Sequence, residues 1–488
     1  MTKDVIRLTA AQSDRAIGVL LGSAVGDALG AGYEFGAAPY DGAPRMIGGG
    51  LGDFAPGEWT DDTAQAVAIA RVAASGADLT SEAAHDLIAA GFLEWFRGGP
   101  PDVGNQTRQV LGAVGSDSSA RRMRTQAQRV HEISGRSAGN GSLMRTAPVA
   151  LAFLRRPESE LVEAAMAISA LTHHDPLARE GAALWCLMIR HAVLHGEFPD
   201  AGSVLAQLPH ADYWAGVLAE AEAQQPDEFS QNGWVVGALR AAWSAIRHTP
   251  TPEVQPCRHL QDSLATAIGI GHDTDTVAAI AGGLLGARWG QSAIPQEWLG
   301  QLHGWGAQTQ GAAHLVRWAI ETVQGGPQAT WPSVARVDYP SAPGVEAYAP
   351  HPLVDGVWIG GVRPLDRLPD HIDAVVSLCR VGAQQVPVES YVVRLLDTDC
   401  ADNPNLDFAV DDAARTVLRL LKQGKRVFLH CVAAHSRTPT VAARVAMLSG
   451  HEFRESLDSV CAALPAANPQ GFLIEVLGRL RRSDARAT

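Results

Sequence analysis

Over residues 13 to about 322 the chain lacks strand-like runs of Val, Ile and Thr, and its apolar residues recur at spacings of three and four among abundant alanines. That pattern predicts helix after helix, with Pro and Gly marking the connections. Asp175-Pro176 places a capping carboxylate before a proline at a first helical position. It opens a helix from Leu177 to His195 that stops before Gly196. Within the same stretch, Gly18, Gly22, Gly26 and Gly30 form one stripe, and Gly282, Gly283 and Gly286 form a second bare patch. Each glycine costs a helix about 1 kcal/mol relative to alanine, so seven of them point to two helix backbones in close approach.

The texture changes near residue 325. Five prolines (Pro327, Pro332, Pro340, Pro343 and Pro350) fall in 325–350 without helical or strand periodicity, which predicts a linker. Beyond it, β-branched runs at Val357-Trp358-Ile359, Asp373–Cys379, Tyr391–Leu396 and Arg426–His430 alternate with helical spacing, as over Leu406–Leu421. Three helix-like segments close the chain. This is the pattern of an α/β domain around a largely parallel sheet. The expected organisation is multidomain: an all-α domain over 13–324, a linker over 325–350, and an α/β domain over 351–488.

Composition narrows the function. At 46% apolar and 19% charged residues over 488 positions, wholesale disorder is excluded. A net charge of −13 argues against nucleic acid or an anionic membrane surface as the main partner. No signal-peptide core follows Met1. The longest apolar run, Val277–Ala287, is about half of the roughly 20 residues a membrane span needs. Six cysteines lie scattered without CxxC spacing, so neither a zinc ribbon nor a disulfide framework is expected. The cytoplasm is the expected compartment.

Two acidic clusters carry the first chemistry. Gly57-Glu58-Trp59-Thr60-Asp61-Asp62-Thr63 and, about 210 residues later, Gly271-His272-Asp273-Thr274-Asp275-Thr276 each set carboxylates beside threonine hydroxyls at the start of an alanine-rich helical run. One such cluster is an ordinary helix cap. Two of them, each with more acid than a cap needs, point to hard oxygen ligands for Mg²⁺, Mn²⁺ or Ca²⁺. Facing each other, they would suit a pair of ions.

With these clusters, Gly26-Asp27-Ala28-Leu29-Gly30, Glu34, Asp102-Val103-Gly104, Gly139-Asn140-Gly141-Ser142-Leu143-Met144-Arg145 and Thr172-His173-His174 complete a set that resembles the ADP-ribosylglycohydrolases over residues 13 to 322. The resemblance implies an all-α fold with two Mg²⁺ or Mn²⁺ ions that hydrolyses the bond at C1 of a protein-linked ADP-ribose. By the same resemblance, Thr60, Asp61, Asp62, Asp273, Asp275 and Thr276 are the implied metal ligands. Glu34 is a metal-linked acid near the scissile bond, and Asp102 contacts or activates the ribose. Asn140, Gly141 and Ser142 form a loop whose amides hold the diphosphate, and His173 or His174 lines the adenosine side.

The second constellation is Val427-Phe428-Leu429-His430-Cys431-Val432-Ala433-Ala434-His435-Ser436-Arg437-Thr438-Pro439. An apolar strand runs into Cys, five residues follow, then Arg, and a helix opens. Such a loop can curl around a tetrahedral oxyanion, with backbone N–H groups pointing inward and Arg437 as a planar donor. Residues 350–485 resemble the Cys-dependent protein phosphatases, nearest the dual-specificity group, and Leu353–Gly360 resembles that family's opening strand. The resemblance implies attack by Cys431, Arg437 holding the phosphate, Thr438 easing thiolate departure, and His435 and Ser436 lining the loop. It also implies a general acid about 30 residues upstream: Asp399 first, with Asp397 and Asp402 as rivals. Ala434 stands where these families carry glycine, so its Cβ is expected to strain or narrow the loop if φ is positive.

Together these readings predict a bifunctional hydrolase acting on an ADP-ribosylated protein or an ADP-ribosyl small molecule, with a phosphorylated protein as a second partner. Two alternatives are a hydrolase of free ADP-ribose derivatives and an adaptor whose phosphatase-like domain only binds phosphate.

Overall fold

The computed structural model describes residues 8–115, 118–398 and 402–487. The chain divides into two compact units. One holds Met1–Thr251, Arg258–Ile294 and Trp298–Pro327; the other holds Pro252–Cys257, Pro295–Glu297 and Gln328–Thr488.

The first unit is helical. Four helices position its site: α1 (Ala10–Gly30), α2 (Asp61–Ala74), α3 (Pro176–His195) and α4 (Thr274–Trp289). Thr9 opens α1 with a capping box, its hydroxyl accepting from the Gln12 amide while the Gln12 side chain accepts from the Thr9 amide. Asp175 accepts from the Leu177 amide at 2.9 Å to start α3, and Gly196 ends it at φ 74°. Both signals were legible in the sequence.

The glycine stripe packs α1 antiparallel against α4. A Cβ on Gly22 would lie 2.2 Å from the Gly282 carbonyl oxygen, one on Gly26 2.0 Å from that of Ala278, and one on Gly286 1.9 Å from that of Gly18. The obstacle in each case is backbone, which cannot rotate away. Gly283 is outside this seam, since its Cβ would make ordinary contacts with Ala147, Ile189 and Ser23 at 3.5–3.8 Å. Gly286→Ala should therefore destabilise the unit by about 3 kcal/mol or more, the upper range for an overpacked core. Gly283→Ala should cost under about 1 kcal/mol; denaturant titration of both variants checks the contrast.

Counting uninterrupted apolar residues missed one property of α1. The segment Ala10–Gly36 is long and apolar enough to cross a membrane by length and composition, because its Leu, Val, Ile and Ala residues sustain the average across Ser23 and Asp27. Its most apolar 18-residue window is wholly buried, as befits a core helix.

The second unit is built on a five-stranded sheet. Its strands are β1 (Tyr348–Pro350), β2 (Val357–Gly360), β3 (Ala374–Ser377), β4 (Glu389–Val392) and β5 (Val427–His430), in the order β1-β2-β5-β3-β4. All pairs are parallel except β1 with β2. Alternation sorts the faces. Val357, Ile359, Ala374, Val376, Val427 and Leu429 pack with the helices α5 (Leu406–Lys422) and α6 (Arg437–Leu448), whereas Val375 and Phe428 join Val362, Leu365 and Ile372 on the other face. The helices Phe453–Ala463 and Gly471–Ala487 follow.

The sequence expectation differs from this unit in two places. The strand expected over 391–396 pairs instead over 389–392. The Pro-rich stretch is not a free tether from Gln328 onward. Ala383 and Gln384 donate backbone hydrogen bonds at 3.0 Å to the carbonyls of Val334 and Ala335, and Tyr348–Pro350 adds the edge strand. Proline lacks an N–H, but an edge strand needs only one bonded side.

Candidate active site

The site of the helical unit begins with Asp27 on α1. Fully buried, it accepts hydrogen bonds from the amides of Thr60 and Thr63, both at 2.9 Å, and so caps α2 from another helix. That cap sets Asp61 and Asp62 in the first turn of α2. From the opposite side, the Thr274 hydroxyl donates to the Gly30 carbonyl at 2.8 Å and ties the start of α4 to the end of α1. Gly30 permits this, because a Cβ there would lie 2.5 Å from the Asp275 Cα.

Two overlapping groups of carboxylates result. Oxygens of Asp27, Asp62 and Asp275 lie within 4.8 Å of one another, as do those of Glu34, Asp273 and Asp275, so Asp275 belongs to both. The hydroxyls of Thr60 and Thr276 donate to Asp62 Oδ2 at 3.0 and 3.4 Å. Asp62 Oδ1 is buried without a protein partner. Asp61 stands beside these groups, its Oδ2 accepting from Gln65 Nε2 at 3.0 Å.

Burial and then mutual repulsion hold Asp62 and Asp275 well above the usual carboxylate range, and burial raises Asp27 and Asp273. Glu34 is pushed up to about 8 by burial and then by Asp273, Asp102 and Asp61; Asp61 is pushed up to about 8 by burial and then by Asp102 and Asp27. The charged groups that act most strongly on these acids are other carboxylates, not cations. An all-oxygen donor set with an unpartnered buried oxygen fits a hard divalent ion, whose charge would offset the repulsion.

A sign follows for the metal-free protein. These carboxyls keep their protons to higher pH when folded than when unfolded, so folding binds protons and stability falls as pH rises toward about 8. Each contributes up to about 1.4 kcal/mol per pH unit in that window. Burial acts oppositely on His173, whose pKa is lowered to about 3, and its effect on stability lies below about pH 6.5. Between about pH 6.5 and 8, chelated protein should melt progressively lower by calorimetry, and a divalent ion should reverse the loss. A rise in melting temperature across that window would contradict this electrostatic reading.

The remaining residues singled out in the sequence surround this cluster with different duties. Asp102, half-buried, accepts from the Val103 amide at 2.8 Å and acts electrostatically on both Asp61 and Glu34. Asn140 Nδ2 donates to Asp273 Oδ2 at 2.7 Å and to the Asn232 carbonyl at 2.9 Å, so its side chain serves the acidic cluster. Its amide donates to the Gly233 carbonyl, which leaves Gly141 and Ser142 as the loop's donors. The Ser142 hydroxyl is buried against Ser169 at 2.9 Å. His173 is only 1% exposed and packs beneath the loop, where a Cβ on Gly141 would lie 3.1 Å from its ring. It therefore supports the loop from below. His174 is half-buried beside His131, with ring centroids 5.5 Å apart.

In the second unit Cys431 follows the central strand β5, and Arg437 opens α6. The carboxyl end of a strand flanked on both sides is where parallel sheets bind ligands. Arg437 Nη1 donates to the carbonyls of Leu378 and Leu395 at 2.7 and 3.0 Å. Its Nε is buried without a hydrogen-bond partner, and Asp397 approaches it at 4.0 Å with Oδ1 likewise unpartnered. Asp399 lies outside the described residues, and the carbonyl of Asp402 accepts from Arg394 at 2.8 Å.

Three side chains expected at a phosphate are turned to other work. His435 Nδ1 bonds to the Ala466 carbonyl, the Ser436 hydroxyl accepts from the Gln470 amide, and the Thr438 hydroxyl donates to the Gly360 carbonyl. The first two clamp the loop to residues 466–470. Ala434 has φ 49°, so the backbone here does favour glycine, yet its methyl is fully buried in the helix-side core. It strains the loop without narrowing it.

A family model described as ADP-ribosylglycohydrolase matches residues 8–328. The chain belongs to the ADP-ribosylglycohydrolase family. It is 31% identical over 303 residues to the ADP-ribosyl-dinitrogen reductase glycohydrolase of Rhodospirillum rubrum, covering 59% of this chain and 90% of that protein. It is 30% identical over 296 residues to the ADP-ribosylarginine hydrolase Tri1 of Pseudomonas putida (strain GB-1), covering 59% and 73%. The crystal structure of human DUSP28 aligns with 29% of this chain and 98% of its own, at 16% identity and a TM-score of 0.27.

Sequence reasoning gave no role to Asp27, Gln65, Arg145 or Asn232. Asp27 and Arg145 stand inside motifs that were legible. Asp27 follows Gly26 of the stripe but lies about 100° round the helix from it, and it turns to Thr60 and Thr63. Gln65 lies one helical turn after Asp61, the spacing that brings side chains together. Asn232 carries no local signal.

Proposed function

We propose that the helical unit is a metal-dependent hydrolase that cleaves the bond between C1 of ADP-ribose and a protein side chain. The observation that carries this reading is the pair of carboxylate groups sharing Asp275, buried or half-buried and without an ion pair among the described residues. Asp27, Asp61, Asp62, Asp273 and Asp275 would hold two Mg²⁺ or Mn²⁺ ions, with Thr60 and Thr276 bracing Asp62. Such ions supply charge to orient ribose hydroxyls and acidify a bound water. Asp102 would supply negative charge where the ribose becomes positive as the C1 bond opens. The bonding pair would leave with the departing nitrogen or oxygen, which takes the proton held on Glu34; a water oxygen then bonds to C1 and gives a proton back to Glu34. The amides of Gly141 and Ser142 would face the diphosphate.

The P. putida relative's name specifies ADP-ribosylarginine, which favours an arginine linkage for this chain too. Incubation with arginine-, serine- and O-acetyl-linked ADP-ribose, read by mass spectrometry, tests it. The expected result is free ADP-ribose plus unmodified arginine. Preferential hydrolysis of O-acetyl-ADP-ribose would instead support a small-molecule hydrolase.

For the α/β unit we propose a Cys-dependent phosphatase-like site. The favouring observation is the loop between β5 and α6, with Arg437 and Asp397 carrying unpartnered buried atoms beside it. Of the two described candidates, Asp397 is better placed than Asp402 as the general acid for this proposal. The five described cysteines are free thiols, which suits a cytoplasmic enzyme with a thiol nucleophile.

A further inference from the structure

Arg145 is 1% exposed and forms no ion pair among the described residues. A guanidinium buried without a carboxylate at its side is costly and calls for a reason. Its contacts are directional. Nη1 donates to Gln65 Oε1 at 2.5 Å, Nη2 donates to Thr172 Oγ1 at 2.7 Å, and the Phe92 ring lies 4.3 Å from the guanidinium carbon.

Each contact fixes the next one. Because Gln65 must present its oxygen to Arg145, its amide nitrogen faces Asp61 and donates to Oδ2 at 3.0 Å. A flipped amide would set an oxygen against a carboxylate and an NH₂ against a cation. On the other arm, Thr172 Oγ1 accepts from Arg145, so its own proton goes to His173 Nδ1 at 2.8 Å. The neutral His173 ring then carries its hydrogen on Nε2, the atom nearest an ideal Cβ on Gly139, at 3.4 Å, and 3.2 Å from one on Gly141.

We propose that Arg145 is the positioning residue of the site, orienting Asp61 through Gln65 and His173 through Thr172. One buried cation thereby sets both the metal-holding side and the loop side. The inference rests on the metal-dependent ADP-ribose reading above, and binding rather than turnover tests it.

The probes are Mn²⁺, followed by electron paramagnetic resonance on chelator-stripped full-length protein, and ADP-ribose, followed by calorimetry at saturating Mn²⁺. Gln65→Leu should weaken Mn²⁺ about tenfold to a hundredfold, the usual range for a group supporting a ligand, with little change for ADP-ribose. Thr172→Val should weaken ADP-ribose about tenfold and spare Mn²⁺. Arg145→Lys should do both, since an ammonium cannot reproduce the fork. A purely structural role would lower the melting temperature in all three without this split. Folded Gln65→Leu and Thr172→Val proteins with wild-type affinities for both probes would overturn the proposal, even if Arg145→Lys failed to fold. Wild-type protein that bound no Mn²⁺ would sink the metal reading itself, and this inference with it.

Discussion

Asp275→Asn should lower kcat/KM for ADP-ribosyl-arginine cleavage by about 10³-fold or more. Asp275 is the one carboxylate common to both acidic groups, so its loss disturbs both metal positions. A metal contact supplying about 4 kcal/mol of charge stabilisation corresponds to that factor. Stability should move the other way. In the chelated protein the Asp275 charge is opposed by burial and by Glu34, Asp62, Asp273 and Asp27, so the neutral amide should melt higher than wild type. Adding Mn²⁺ should raise the wild type more than the variant, by mass action. Thermal melts with and without metal, run beside the kinetics, check this crossing. A variant that lost activity and also melted lower without metal would mean that Asp275 is a structural group.

Cys431→Ser should abolish hydrolysis of an aryl phosphate, by on the order of 10⁴- to 10⁶-fold, as expected when a nucleophile is removed. Release of ADP-ribose should be unchanged, because no residue serves both sites. Vanadate should protect Cys431 from alkylation in the wild type. Cys379 makes a good internal control, since burial pushes its thiol up to about 12 and keeps it inert. Ala434→Gly has opposing consequences for the fold. It relieves roughly 1 kcal/mol of left-handed strain and removes a buried methyl worth about as much. Its stability should therefore stay within about 1 kcal/mol of wild type, while the loop gains freedom and turnover rises. Unchanged aryl phosphate hydrolysis in Cys431→Ser would remove this unit from the phosphatases and leave it as a docking module.

Much of the fold was legible because strong local signals agreed with the packing. Asp175-Pro176 and Gly196 bound α3, and the Gly18–Gly30 stripe meets Gly282 and Gly286 backbone to backbone. What failed was local signal without tertiary context. Tyr348–Pro350 becomes a strand only because β2 lies beside it, and His435, Ser436 and Thr438 turn to partners 31 to 78 residues away in sequence. The acidic clusters were readable as clusters, but nothing local could show that Asp27 would cap α2 from another helix. Nor could it show that Arg145 would reach Gln65 across 80 residues.

The central claim is that the carboxylates joined at Asp275 hold the ions on which ADP-ribose cleavage depends. The most direct measurement is the rate of ADP-ribose release from an ADP-ribosyl-arginine peptide by chelator-stripped protein, before and after Mg²⁺ or Mn²⁺ is restored. The stripped enzyme should show no detectable release, with full recovery on adding either ion. Undiminished release in excess chelator would contradict it.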